Sequence, residues 1–340
     1  MLDLTYEVLA RDKERIRQKV SELLDETLLS DSISRWNDCA LKSRASVIAG
    51  EDGSINSNRY KNLVIYAVNA SALVYGDKIT VKAHADVGVL HPYFQIEERL
   101  HLYRAIYEFK TALEVIDSVE LFLIDGSLLS DLLALRRLER GLSKESREEV
   151  LALLPMLEKA KGVRIASNDL CHMLGKNDYN EKVGFLEYLE YLSCIEKLLS
   201  KGIDKIAGIS KLSTRSRLGK GVPDLAVYGE TTFRSGYSNP EAEVVTKKFP
   251  AYNEFFRSLV FTISSIRLED GKDVYLLEVP REIDDDELVD ILEKIKSISV
   301  DGYPYLLKKA HKEVTITNRE MKRLTVGLGI VAKTGREVLK

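Results

Sequence analysis

Two stretches of this 340-residue chain carry an aspartate followed by glycine and serine at the end of an apolar run. They are Asp52-Gly53-Ser54 after SVIAGE and Asp125-Gly126-Ser127 after VELFLI. Asp-Gly is a common turn pair, and for either stretch alone a turn is the ordinary reading. The repetition points elsewhere. A carboxylate at the end of a buried strand is costly unless its charge is compensated. Two such strands side by side would bring two carboxylates close enough to need a counter-ion. Glu108 sits at the edge of the apolar stripe of the intervening helix and supplies a third acid. Three carboxylates suit a hard divalent cation such as Mg²⁺ or Mn²⁺ rather than zinc. Ions of that kind serve phosphoryl transfer by activating water and neutralising phosphate charge.

Cations follow in a short span: Lys205, Lys211, Arg215, Arg217 and Lys220. Lys211 ends a predicted strand and could point into the same cleft, although from spacing alone a solvated lysine is the safer reading. Arg215, Arg217 and Lys220 are candidates for phosphate contacts, which position nucleic acid without reading its sequence. Later, Tyr303-Pro304-Tyr305 precede a helix carrying Lys308, Lys309, His311 and Lys312. Aromatics beside cations suit base stacking and backbone contact with a single strand, which makes Tyr305 and Lys308 candidates for nucleic-acid binding. His311 is a candidate general acid or phosphate ligand, against the usual structural role of a lone helical histidine. Other chemistries lack their motifs: there is no P-loop, no G-x-G-x-x-G after a strand, no G-x-S-x-G elbow and no H-E-x-x-H.

These residues need a sheet to position them. After SVIAGEDGS, the segments KNLVIYAVNASALVY and KITVKAHADVGVL predict an antiparallel ribbon. From Gln95 to Asp117 the period becomes helical, with Leu102, Ala105, Ile106, Phe109, Leu113 and Ile116 in one stripe. VELFLI reads as a strand covered on both faces. Two helices follow, SKESREEVLALLPMLEKAKG with a capping start and FLEYLEYLSCIEKLLSKG ending at Gly202. KIAGIS predicts another strand. NEFFRSLVFTISSIRL and DVYLLEVP predict a hairpin turned by Asp-Gly. DDDELVDILEKIKSIS is a helix with acids at its start, as the helix dipole prefers, and the tail from Thr317 is predicted helical. An amphipathic helix over 6–27, with Leu9, Ile16, Val20 and Leu23 or Leu24 recurring, is expected to pack on its own domain, with a partner contact as the alternative. Residues 228–249 read as a surface insertion.

The formal net charge of −3 excludes a globally basic protein, so any nucleic-acid face must be local. Cys39, Cys171 and Cys194 form no Cys-x-x-Cys pair, which argues against a disulfide framework or a zinc ribbon. The first twenty residues carry charges throughout and do not read as a signal peptide. No run of about 18 apolar residues predicts a membrane span. The protein is expected to be cytoplasmic. Gln18 and Gln95 are the only glutamines, a bias seen where thermolabile amides are avoided.

Taken in order, these pieces resemble the NurA nuclease family of archaea. The resemblance runs through Asp52 to Ser54, the helix with Glu108, Asp125 to Ser127, a strand ending in Lys211, and the block from Gly302 to His311, so it spans nearly the whole chain. It implies an α/β fold similar to RNase H, a mixed sheet flanked by helices, with additional helices at both ends. A single nuclease domain over 1–340 is expected: an N-terminal helical segment (1–40), a core with insertions (41–315) and a C-terminal segment (316–340). Members resemble manganese-preferring nucleases that cut single-stranded DNA internally and degrade single- and double-stranded DNA from 5′ ends. They act as homodimers with the hexameric HerA translocase in DNA end resection and recombinational repair. By position, Asp52, Glu108 and Asp125 match metal ligands for two ions, Mn²⁺ or Mg²⁺. Tyr303 and His311 match active-site residues, and Lys211 matches the active-site lysine. Two rivals remain: another RNase H-like phosphoryl transferase, and a non-catalytic module that binds DNA or tethers a translocase.

Overall fold

The structure is a computed structural model and describes residues 3–22, 26–61, 63–134, 138, 141–219 and 221–329. Lys220, residues 330–340 of the predicted tail, and Leu23 and Leu24 of the first helical stripe lie outside the described residues.

In chain order, α1 (Asp3–Ser21) and α2 (Glu26–Ser34) lead to β1 (Trp36–Asp38) and then β2 (Ile48–Arg59), β3 (Val64–Tyr75) and β4 (Ile79–Leu90). Next come α3 (Ile96–Leu113), β5 (Leu121–Asp125), α4 (Leu128–Ala134), α5 (Lys144–Leu151), α6 (Leu154–Lys159), α7 (Ala166–Leu170) and α8 (Tyr179–Gly202). After β6 (Ile206–Ser210) follow α9 (Asp224–Thr231), β7 (Gly236–Ser238), β8 (Glu241–Val244), α10 (Asn253–Arg257), β9 (Val260–Arg267) and β10 (Tyr275–Val279). The chain continues through α11 (Asp285–Ser297), β11 (Ser299–Val300), β12 (Tyr303–Pro304), α12 (Tyr305–Val314) and α13 (Asn318–Gly327).

One large mixed sheet runs in the order β1-β7-β9-β10-β6-β5-β2-β3-β4, with β8 beside β9. The β2-β3-β4 meander is antiparallel, while β2 pairs parallel with β5 and β5 parallel with β6. This is the RNase H-like arrangement, a mixed sheet flanked by helices. Side chains alternate across β2, so Ala49 joins the core under α3 and α8, while Ile48 joins the core under α11 and α12. The same alternation decides which helix each acid of β2 meets. On α12, Leu306, Leu307, Ala310 and Val314 are buried at helical spacing. Each fully buried leucine contributes about 1.5–3 kcal/mol. That burial turns Tyr305, Lys308 and His311 outward. α3 and α8 are tied by the fully buried Arg99–Glu187 pair, Nε to Oε2 at 2.7 Å, with Tyr103 donating to the same glutamate at 2.6 Å.

Several local expectations change. β2 does not end at Asp52: it continues to Arg59 because β3 pairs with it over its whole length, and only its parallel pairing with β5 stops, at Ile124 opposite Glu51. The expected helix over 143–162 breaks into α5 and α6, with a proline in the first turn of α6. Ser143 caps α5 by accepting from the Ser146 N–H. The start of the NEFFRSLV strand is the helix α10, since one turn buries Phe256 against Phe249, with ring centroids 4.8 Å apart. Residues 228–249 join the sheet edge through β7 and β8 rather than forming an insertion. α1 is exposed along most of its length, with Leu4, Leu9 and Ile16 open, so it does not pack on the core as expected. The tail from Thr317 is helical as expected, and Thr317 and Glu320 form its capping box.

Candidate active site

The two Asp-Gly-Ser segments have different local structures and one destination. Asp52 lies within β2, one residue past the end of its parallel pairing with β5. Asp125 is the last residue of β5, and Ser127 then caps α4, its Oγ accepting from the Ser130 N–H at 3.0 Å and donating to Glu278 at 2.6 Å. The parallel register sets both aspartates at neighbouring positions at the carboxyl edge of the central strands. In the other direction, Asp125 pairs with Ile209 of β6. Lys211, two residues further and so on the same face, reaches Asp125 Oδ2 at 2.8 Å.

The β11–β12 hairpin and α12 close the site from one face of the sheet. His311 Nδ1 lies 2.7 Å from Asp52 Oδ2, while the Gly53 N–H donates to Asp52 Oδ1 at 2.8 Å. Tyr303 donates its hydroxyl to Asp125 Oδ1 at 3.4 Å, and the Lys211 ammonium stands 5.0 Å above the Tyr303 ring. Burial, and then the Asp125 charge, hold the Tyr303 phenol far above its ordinary range, so it is a donor here and not a base.

On the opposite face, α3 presents Glu108. A Cβ built at Gly53 would come within 2.6 Å of Glu108 Cγ, so only glycine lets this carboxylate lie against the strand beside Asp52. Burial raises Glu108 to about 7, opposed by Arg104, whose Nε is 3.5 Å from Glu108 Oε1. Asp52 is raised by burial and then by the Asp125 charge, against the hydrogen bonds from His311 and Gly53. Glu51 is raised well above the carboxylate range by burial and then by Glu108, and its buried Oε2 has no hydrogen-bond partner. Glu51, Asp52 and Glu108 thus crowd one end of β2 and β5 beside Asp125, and each of the three is pushed toward its neutral form by burial and by its neighbours, while Lys211 and Tyr303 contact Asp125. A divalent cation would relieve this. One ligand atom from each of Asp52, Asp125 and His311 lies within 4.8 Å of the others, and the mixed carboxylate and imidazole donors suit such an ion. Glu108 is outside that trio and approaches from the other side of β2.

Two cavities flank the acids. One of about 620 Å³ follows β2 past Gly53 and is lined by Arg59, His101, Arg104 and His311. The other, of about 740 Å³, begins at Lys211 and Tyr303.

The structure therefore brings together Asp52, Asp125, Lys211, Tyr303 and His311, with Glu108 adjoining. Tyr305 and Lys308 lie on the exposed face of α12, on the helix that carries His311. Arg215 is instead engaged by Glu241 and Glu243 at 2.7 and 2.5 Å, and Arg217 by Glu243 at 3.2 Å, so these two are tied to β8. Sequence reasoning missed Arg104 and Glu51. Arg104 and Glu108 form an i,i+4 pair that is visible in the sequence but meaningless until Glu108 is placed. Glu51 adjoins Asp52, yet the strand sends it to the other face.

The sequence pattern of the NurA domain matches residues 46–316. The chain belongs to the NurA family. A Methanocaldococcus jannaschii protein described as a probable DNA double-strand break repair nuclease NurA is 29% identical, over 99% of this chain and 92% of its own. The crystal structure of the NurA nuclease from Sulfolobus solfataricus superposes with a TM-score of 0.79 at 20% identity, over 97% of each chain. A second NurA crystal structure, bound to dAMP and manganese, superposes with a TM-score of 0.69 at 18% identity, over 99% of this chain and 100% of that one. NurA members thus share this fold from end to end.

Proposed function

We propose that this chain is a divalent-metal-dependent DNA nuclease that hydrolyses phosphodiester bonds in DNA-end repair. The observation that carries it is the convergence of Asp52, Asp125 and His311 within 4.8 Å, with Lys211 on Asp125 at 2.8 Å. Asp52, Asp125 and Glu108 would hold the ions, Mn²⁺ or Mg²⁺, two in number. When bound, such ions lower the pKa of an attacking water and neutralise charge on the phosphate.

The remaining work falls to the chain itself. Lys211, on a side chain nearly half exposed, carries its ammonium to where charge builds on the phosphate. Tyr303 donates to Asp125 and fixes that carboxylate. His311 is largely exposed and has its Nδ1 on Asp52; on this reading it stays off the ions and delivers a proton to the leaving oxygen. Tyr305 and Lys308 present a ring and a charge to the strand alongside. Arg104 holds Glu108 and faces the cavity along β2, where it meets phosphate.

On the same reading the enzyme cuts single-stranded DNA internally, trims single- and double-stranded DNA from 5′ ends, and works with a HerA hexamer as one nuclease domain over 1–340. A homodimer is supported by the edge strand β4, whose outer face sets Ile79, Val81, Val87 and Val89 in an open apolar row. Light scattering tests the dimer, a monomer being the contrary result. Co-purification tests the HerA partnership, two separate peaks being the contrary result. None of the described helices is long and apolar enough to cross a membrane.

The deciding assay follows labelled single-stranded DNA with Mn²⁺ for wild type, Asp52→Asn and Asp125→Asn. Wild type cuts and the folded variants do not. An inert wild type that still binds DNA would favour the non-catalytic binding module.

A further inference from the structure

The cavity of about 740 Å³ runs from Lys211 and Tyr303 into the space between α9 and the β9–β10 hairpin. Its volume falls in the range of about 300–1,000 Å³ common for small-molecule sites. Three features give it a chemical character. Its inner wall is the Tyr275–Tyr303 ring pair, with centroids 5.1 Å apart. Leu212, the residue after the active-site lysine, is 90% exposed and lines the same space. Phe233 also lines it, with 69% of its surface open.

Phe233 is the informative one. Its backbone is fixed, since its carbonyl accepts from the Gly271 N–H at 2.7 Å. Its ring rests against Gly271, which has a φ of +68° and where an added Cβ would come within 2.9 Å of ring atom Cε2. A large apolar ring thus rests on Gly271 with 69% of its surface left open to water, which has a hydrophobic cost. Nucleobases stack on aromatic faces of this kind, and the interaction tolerates any base. A duplex keeps its bases paired inside the helix, so only an unpaired or turned-out base enters such a recess. The recess also adjoins the reacting end of the site, because Lys211 and Tyr303 both contact Asp125. On the far side of the acids, the Arg59, His101 and Arg104 cavity shares none of these residues and touches His311. That cavity also holds Glu97, which pairs with Arg59, so a strand crossing the acids would run its backbone past Arg104, His101 and His311 and place a base in the aromatic recess.

We propose that this recess is a base-binding subsite for the nucleotide adjoining the scissile phosphate of single-stranded DNA, with the Phe233 ring as its stacking platform. Leu212 closes its mouth against the neighbouring base. The proposal rests on the nuclease reading above, and it assigns single-strand preference to Phe233 rather than to the acids.

The test compares wild type, Phe233→Ala, Phe233→Trp and Leu212→Ala in EDTA at one fixed salt concentration. Fluorescence anisotropy measures affinity for a 2-aminopurine-labelled single strand and for a blunt duplex of the same length. Phe233→Ala binds the single strand roughly 5- to 150-fold more weakly, the range of one stacked base. Its duplex affinity stays within about twofold, and the 2-aminopurine quenching seen with wild type disappears. Phe233→Trp restores both, and Leu212→Ala gives a partial loss. Circular dichroism confirms folding, which a residue this exposed does not control. The proposal is overturned if Phe233→Ala binds the single strand like wild type, or weakens both substrates equally. It is also overturned if the variant changes oligomeric mass, which would make the ring a subunit contact. Cleavage by wild type with Mn²⁺ separates the two levels. If wild type does not cut, the nuclease reading fails, whereas normal cutting with unchanged Phe233→Ala binding removes the subsite alone.

Discussion

Replacing Glu108 with glutamine should stabilise the metal-free protein at neutral pH. Folding raises this carboxyl from 4.5 to about 7, chiefly through burial. The folded state therefore holds the proton more tightly than the unfolded chain, and the group costs nothing below about pH 4.5, where both states are protonated. Its cost grows as pH rises and is complete above about 7, where the folded protein carries a buried carboxylate beside Glu51 and Asp52. The interval between 4.5 and about 7, at about 1.36 kcal/mol per pH unit, sets the penalty at roughly 3 kcal/mol. Glutamine keeps the shape and removes the charge, and Arg104 retains Asp131 among its nearby charges. Urea unfolding in EDTA from pH 4 to 8, wild type against Glu108→Gln, reads the difference directly. Comparing the two proteins cancels shifted groups that do not touch Glu108, such as Glu278, raised by burial, and Glu149, lowered by the Gly175 N–H and Lys182, while relief of Glu51, which Glu108 helps to raise, adds in the same direction. The curves should coincide near pH 4 and separate to about 3 kcal/mol by pH 8, with the variant higher. Mn²⁺ should stabilise wild type more than the variant, by mass action. A variant less stable than wild type at pH 8 in EDTA, or a gap that does not change with pH, would refute this placement of Glu108.

Three further substitutions probe the site and its scaffold. Gly53→Ala drives a methyl into the Glu108 carboxylate. It should cost about 1–3 kcal/mol and weaken Mn²⁺ binding measured by calorimetry, and unchanged metal affinity would detach Glu108 from the site. Lys211→Met removes the ammonium from Asp125. It should slow single-turnover cleavage by roughly 100- to 1,000-fold with DNA affinity little altered; a loss confined to affinity would make Lys211 a binding residue only. Arg99→Ala leaves Glu187 buried without its counter-ion, with only the Tyr103 hydroxyl as a side-chain donor among the described residues. It should cost about 3–5 kcal/mol in urea unfolding, and a loss under 1 kcal/mol would show that the buried pair is dispensable.

The sheet and the acids were legible in the sequence for a simple reason. The β-branched run VIYAV and the wholly apolar run LFLI announce strands, and an aspartate after such a run needs an explanation that a surface loop does not. What was not legible came from pairing and packing. Nothing in SVIAGEDGSINSNR says that the strand continues past Gly53, because the partner that carries it, β3, is set by long-range register. Phe256 favours a helical turn over a strand because the rings of Phe249, Tyr252 and Phe255 are there to meet it. Arg215 and Arg217 read as phosphate ligands until β8 brings Glu241 and Glu243 to them. His311 is the sharpest case: a lone histidine on a helix meets its partner, Asp52, 259 residues away in sequence and 2.7 Å away in space.

The most direct test of the metal site is an anomalous difference map from crystals of the wild-type protein soaked in Mn²⁺. A peak within about 2–2.6 Å of carboxylate oxygens of both Asp52 and Asp125, the reach of hard-cation coordination, is the expected result, and it should vanish in Asp52→Asn crystals. Manganese bound elsewhere, or a peak that persists in the variant at full height, would contradict the assignment of these aspartates as metal ligands.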